Sequence, residues 1–104
     1  MMESKLEKQW KLTIAELESA RGYIPPEGLD DELAKYLHEY NEFLEHNELE
    51  LALDMLEEIG ESMSLPEEFW RSAKKSAEIM GLEKRYTYYL EKIRNARAAA
   101  NKAN

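Results

Sequence analysis

The chain has 104 residues, no cysteine, and 22 acidic against 14 basic side chains, for a net charge of −8. A single domain over residues 1–104 is expected at this length, large enough to bury a core without a staple, and disulfide or thiolate chemistry is excluded. The amino-terminal Met1-Met2-Glu3-Ser4-Lys5 leads into a charged amphipathic segment and not an apolar signal core, and no run approaches the ~20 apolar residues of a membrane span.

The first helix is expected from about Glu3 to Arg21. Leu6, Trp10, Ile14 and Leu17 recur at spacings of four, four and three and define its core stripe, with Trp10 as a packing residue. Gly22 ends it. The loop from Tyr23 to Leu29 follows, because Pro25 and Pro26 force Ile24 into extended backbone. A second helix begins at a capping Asp30 and reaches about His46. Leu33, Tyr36, Leu37, Tyr40, Phe43 and Leu44 form its apolar face.

The third helix is predicted between Asn47, as cap with Glu50 three residues on, and Gly60, as a left-handed stop. Leu49, Ala52, Leu53, Leu56 and Ile59 share one face, and Leu51 and Met55 widen it, so this helix is expected at the centre of the fold. A tight antiparallel hairpin with the second helix follows from the near absence of a linker. The fourth helix is announced by Ser64 as cap, Pro66 in the first turn and Glu67 at the third position. Phe69, Trp70, Ala73, Ala77 and Met80 make its inner face, and Gly81 ends it. The fifth runs from about Leu82 to Ala100, with Tyr86, Tyr89, Leu90, Ile93 and Ala96 inward and a fraying tail beyond Arg97. No segment alternates as a strand does. The expected fold is therefore all-α: a compact bundle of five helices, two antiparallel hairpins plus an amino-terminal helix.

Charge is segregated along this chain. Residues 27–68 carry 15 acidic side chains and one basic one, Lys35, for −14, whereas the remainder carries +6. A dipolar molecule results, with an acidic face that repels nucleic acid and attracts a basic partner. Within the third helix Glu50, Asp54, Glu57, Glu58 and Glu61 have no Lys or Arg among them. Each like pair at i,i+3 or i,i+4 costs about 0.2–0.5 kcal/mol. Local rules are broken most often at working surfaces. With the acidic edge of the second helix, the candidate binding residues are Glu39, Glu42, Glu45, Glu50, Asp54, Glu57, Glu58 and Glu61.

Catalysis has little to rest on. There is no Cys, no Ser in a Gly-flanked elbow and no Gly-rich phosphate loop. His38/Glu42 and His46/Glu50 have i,i+4 spacing, yet neither His has the Glu three residues earlier that di-iron bundles use. No catalytic residue, metal site or cofactor is expected. The basic residues of the first, fourth and fifth helices read as interleaved with acids, without the aromatic-studded patch of a nucleic-acid surface.

The segment Leu44-Glu45-His46-Asn47-Glu48-Leu49-Glu50-Leu51-Ala52-Leu53-Asp54-Met55-Leu56 resembles the signature of small helical immunity proteins of bacterial polymorphic toxin and contact-dependent inhibition systems, including the Maf-type immunity family. Phe69-Trp70 and Ala77-Glu78-Ile79-Met80-Gly81-Leu82 are similar to that family's closing pattern. The resemblance covers roughly residues 30–82 and implies a cytoplasmic protein that binds a cognate toxin, often the carboxy-terminal nuclease domain of a large secreted protein, and blocks it. It carries over no catalytic residues, and the eight carboxylates are chosen on charge geometry. An adaptor docked through an apolar surface, with Tyr23 or Tyr88 exposed, is the alternative. A carboxylate-bridged metalloenzyme is a third. Neither oligomeric state nor the toxin's reaction is legible.

Overall fold

In the computed structural model, which describes residues 4–102, five helices follow one another: α1 (Lys5–Arg21), α2 (Asp31–Glu45), α3 (Leu49–Ser62), α4 (Glu67–Met80) and α5 (Glu83–Lys102). The expected start near Glu3 lies outside the described residues. Ser4 caps α1 by accepting the Glu7 N–H at 3.1 Å, and Asp30 caps α2 by accepting the Leu33 N–H at 2.8 Å.

The turn between α2 and α3 differs from expectation. Asn47 does not cap α3; it stands in the left-handed region at φ 57° and closes α2. Its N–H bonds the Leu44 carbonyl, and the Glu48 N–H bonds that of Phe43 at 2.8 Å, a Schellman arrangement that satisfies two orphan carbonyls. Asparagine tolerates this backbone better than other non-glycine residues. Gly81 makes the same closure at φ 74° after α4.

Gly60 is not a stop either. The helix continues through it to Ser62, and a Cβ there would stand 2.7 Å from ring atoms of both Phe69 and Trp70. Its lack of a side chain lets two aromatic rings reach the backbone of α3. Ser64 is likewise no cap: α4 begins at Glu67 behind Pro66, without a side-chain cap bond. The α5 tail, expected to fray, is helical through Lys102.

Two hairpins, α2–α3 and α4–α5, form as expected, and α1 lies along α4. The centre is α4 and not α3: α4 packs extensively against α1 on one side and α5 on the other, whereas α3 pairs chiefly with α2 and meets α1 and α4 more lightly. Small residues explain this. Ser72, Ala73, Ser76 and Ala77 on α4 are all buried, and Ser72 donates to Ser19 of α1 at 3.1 Å. The core joins Leu17, Tyr40, Leu53, Leu56, Ile59, Phe69, Trp70 and Tyr89.

Four apolar assignments change. Leu51 is 42% exposed, turned away from the core. Trp10, at 38%, is not a core residue, and Leu6 lies further out at 53%. The interior of α1 is Thr13, Leu17 and Ala20. Leu90 is also exposed, on the side of α5 that faces away from α3. No helix among the described residues is long and apolar enough to cross a membrane.

Candidate functional site

The eight carboxylates do not form one surface. Glu50, Asp54, Glu57 and Glu61 stand at i, i+4, i+7 and i+11, one row along α3. The last three of that row face α5, which runs beside α3 in the same direction. Arg85 donates to Asp54 at 2.5 Å and to Glu57 at 3.1 Å, and Lys92 reaches Glu61 at 3.0 Å. The expectation of an uncompensated face therefore fails for Asp54, Glu57 and Glu61. Their cations come from a helix about 30 residues later in the chain, outside the reach of any i,i+4 rule. These long side chains bridge two helices that scarcely touch by backbone.

Tyr89 completes the bridge. Its ring is fully buried, and its hydroxyl donates to Glu57 at 2.7 Å while accepting from Arg85 at 2.9 Å. Burial, then the hydrogen bond to Glu57, push its pKa far above the usual phenol value. Burial alone would lower the pKa of Arg85, but Tyr89, Glu57 and Asp54 outweigh it and hold the guanidinium charged. The cluster closes on itself and fastens α5 to α3.

Glu50 goes elsewhere. It borders a shallow dent shared with Trp10, Asn47, Leu49, Met80 and Leu82, where the two hairpin turns meet α1.

Of the remaining four, Glu39 and Glu58 approach one another at Tyr36, whereas Glu42 and Glu45 lie further along α2 towards the turn. Glu42 and Glu45 are exposed, and the Glu42 carboxylate meets His38 at 2.7 Å. Glu39 and Glu58 flank Tyr36 across the seam between the helices. Its hydroxyl donates to Glu32 at 3.0 Å, and that bond, followed by the field of Glu32 and the weaker fields of Glu58 and Glu39, raises the phenol's pKa. Glu32 thus belongs to the acidic rim, which sequence reasoning missed; a turn-by-turn count back from Glu39 and Tyr36 would have found it. Exposed Leu51 lies seven residues before Glu58 on the same side of α3, an apolar point amid carboxylates. Among the described residues, none of Glu39, Glu45 and Glu58 is paired with a lysine or arginine.

A second charged surface was also missed. Between α4 and α5, on the side of α5 away from α3, Arg71, Lys74, Lys75, Arg94 and Arg97 gather around Leu90 and Ile93 in a groove of about 240 Å³. In the linear sequence these cations alternate with acids; in the fold the acids turn aside or are consumed in pairs.

Chemically, the acidic rim can attract and hold cations of a partner. No three His, Asp or Glu side chains among the described residues converge as metal ligands would. The fold and surface define an all-helical bundle with two oppositely charged faces. Comparison with protein families, curated proteins and solved structures finds no match for this chain.

Proposed function

We propose that this chain is a non-catalytic binding protein whose α2–α3 hairpin covers a basic surface of another protein. In its most specific form it is an immunity protein occluding the basic cleft of a nuclease toxin. The observation that carries the binding role is the contrast between two sets of carboxylates on one hairpin. Asp54, Glu57 and Glu61 are spent on holding α5, while Glu39, Glu45 and Glu58 are paired with no lysine or arginine among the described residues. Carboxylates fixed on packed helices lose little freedom on meeting lysines and arginines. Complementary charge also raises association from about 10⁵–10⁶ to about 10⁸–10⁹ M⁻¹s⁻¹ at low salt. Rapid capture suits an inhibitor of an enzyme that is lethal when free. The toxin as partner is supported by the resemblance of residues 44–56 to helical immunity proteins.

The test is charge reversal of Glu42, Glu45 and Glu58 to Lys, with a nuclease toxin domain found by screening the genes that neighbour this one as binding partner. Association should slow by about a hundredfold or more, and cells carrying the variant should lose protection. An unchanged rate in a folded variant overturns the reading.

Exposure of Trp10 and Leu6 favours one other reading, an adaptor that docks through the dent around Trp10. Its binding would be insensitive to salt and lost in Trp10→Ala.

A further inference from the structure

The groove between α4 and α5 has no place in that function. It holds five cations. Arg71 and Arg97 share one carboxylate, Glu67, at 2.9 Å each, and Lys74 pairs with Glu78. Among the described residues, Lys75 and Arg94 have no carboxylate partner, and both are exposed. Five cations against two carboxylates leave the groove positive on a chain whose total charge is −8. Its floor is apolar, with Leu90 39% exposed beside buried Ile93.

These features define the occupant. An apolar floor between rows of cations suits a helix carrying acids at its edges and small side chains at its crest. Among the described residues no aromatic ring lines the groove, so they offer no base-stacking platform for single-stranded nucleic acid. A strongly acidic molecule also repels a polyanion at long range. A helix with the required character exists in this chain. On the outer side of α2, exposed Ala34 and Asn41 stand seven residues apart beside the loop residues Pro26 and Leu29, and exposed Glu42 and Glu45 follow on one side of them, with Lys35 and His38 among them. The i,i+3 spacing of Glu42 and Glu45 matches that of Arg94 and Arg97. Lengths agree too: α2 has 15 residues and α4 has 14, about 21–22 Å each.

We propose that the basic α4–α5 groove of one copy receives the acidic α2 face of a second copy, giving a salt-sensitive self-association. Unlike patches meet, so the contact is heterologous. It also means that free protein shields part of its acidic face until a more basic partner displaces the neighbouring copy.

Sedimentation of the full chain tests this, at low ionic strength and at about 0.5 M salt, where screening acts within about 4 Å. Low salt should give concentration-dependent masses above the monomer, and high salt the monomer. Lys75→Glu with Arg94→Glu should weaken association at least tenfold, as should Glu42→Lys with Glu45→Lys. An equimolar mixture of the two double variants should associate again, since each then offers what the other lacks. All four positions are exposed, and helical circular dichroism checks that the variants fold. A monomer at every concentration overturns the proposal, and so does association that survives the Lys75/Arg94 reversal or a mixture that stays monomeric. A monomer whose groove takes up a labelled DNA duplex, with uptake lost on reversal, overturns it in favour of nucleic acid. The Lys75/Arg94 variant keeps the acidic face, so toxin capture should persist in it; loss of self-association and loss of the proposed function are therefore separable.

Discussion

Replacing Arg85 by Met keeps the aliphatic stem and removes the charge that joins α5 to α3. Arg85 contacts Asp54 at 2.5 Å, Glu57 at 3.1 Å and the Tyr89 hydroxyl at 2.9 Å, with its side chain 21% exposed. At an effective dielectric near 20, a unit pair about 4 Å apart gains about 4 kcal/mol before desolvation. Fully exposed pairs net about 0–1 kcal/mol, and breaking a buried one costs about 3–5 kcal/mol. This cluster lies between those limits, so Arg85→Met should cost about 2–3 kcal/mol. With a urea slope near 1.5 kcal/mol/M, the midpoint should fall by about 1.3–2 M. Glu57→Gln keeps an acceptor for Tyr89, so the Arg85/Glu57 double-mutant cycle should give a coupling of about 1 kcal/mol or more. A loss under about 0.5 kcal/mol with no coupling would refute the assignment of these carboxylates to internal neutralisation.

Gly60→Ala gains about 1 kcal/mol of helix propensity but drives a methyl to 2.7 Å from the Phe69 and Trp70 rings. Overpacking costs about 1–3 kcal/mol, so the net should be destabilising by about 1 kcal/mol, with altered near-ultraviolet dichroism; a stabilised variant would contradict the packing. Asn47→Gly should preserve or raise the thermal midpoint at the left-handed turn, whereas Asn47→Ala should cost about 1 kcal/mol of stability and lower the midpoint. Hydrogen bonds from Arg97 and then Arg71 hold the Glu67 carboxyl at about 2, well below its usual 4.5. The stability this contributes is present above pH 4.5 and fades as pH falls towards 2. Carboxyl NMR titration should show the Glu67 midpoint climbing towards 4.5 in Arg97→Ala, and an unmoved midpoint would deny the contact.

Five helices, both hairpins and the buried stripe of α3 were legible, because apolar residues at helical spacing and short linkers report them directly. Gly60 was not. Glycine reads as a stop unless one knows that two aromatic rings arrive from α4. Asn47 is equally at home as a cap or in a left-handed turn, and the two readings place it on different helices. The central position of α4 was hidden because Ser72 and Ser76 look polar in sequence, yet their small size lets α1 approach. Trp10 has core spacing, but its surroundings are two hairpin turns and not a packed helix face. The acidic surface was half legible: carboxylate positions follow from α2 and α3 alone, whereas their neutralisation depends on Arg85 and Lys92, whose approach no local pattern announces. The same non-locality concealed the basic groove.

Carbodiimide footprinting of carboxyl groups, read by mass spectrometry with and without the basic partner, tests the division of labour most directly. In free protein at low ionic strength, dilute enough that copies separate, Glu42, Glu45 and Glu58 should label fast and Asp54 and Glu57 slowly. Adding the toxin domain should protect the first three and leave the last two unchanged. Labelling of Glu42, Glu45 and Glu58 that persists undiminished in the complex would contradict the account.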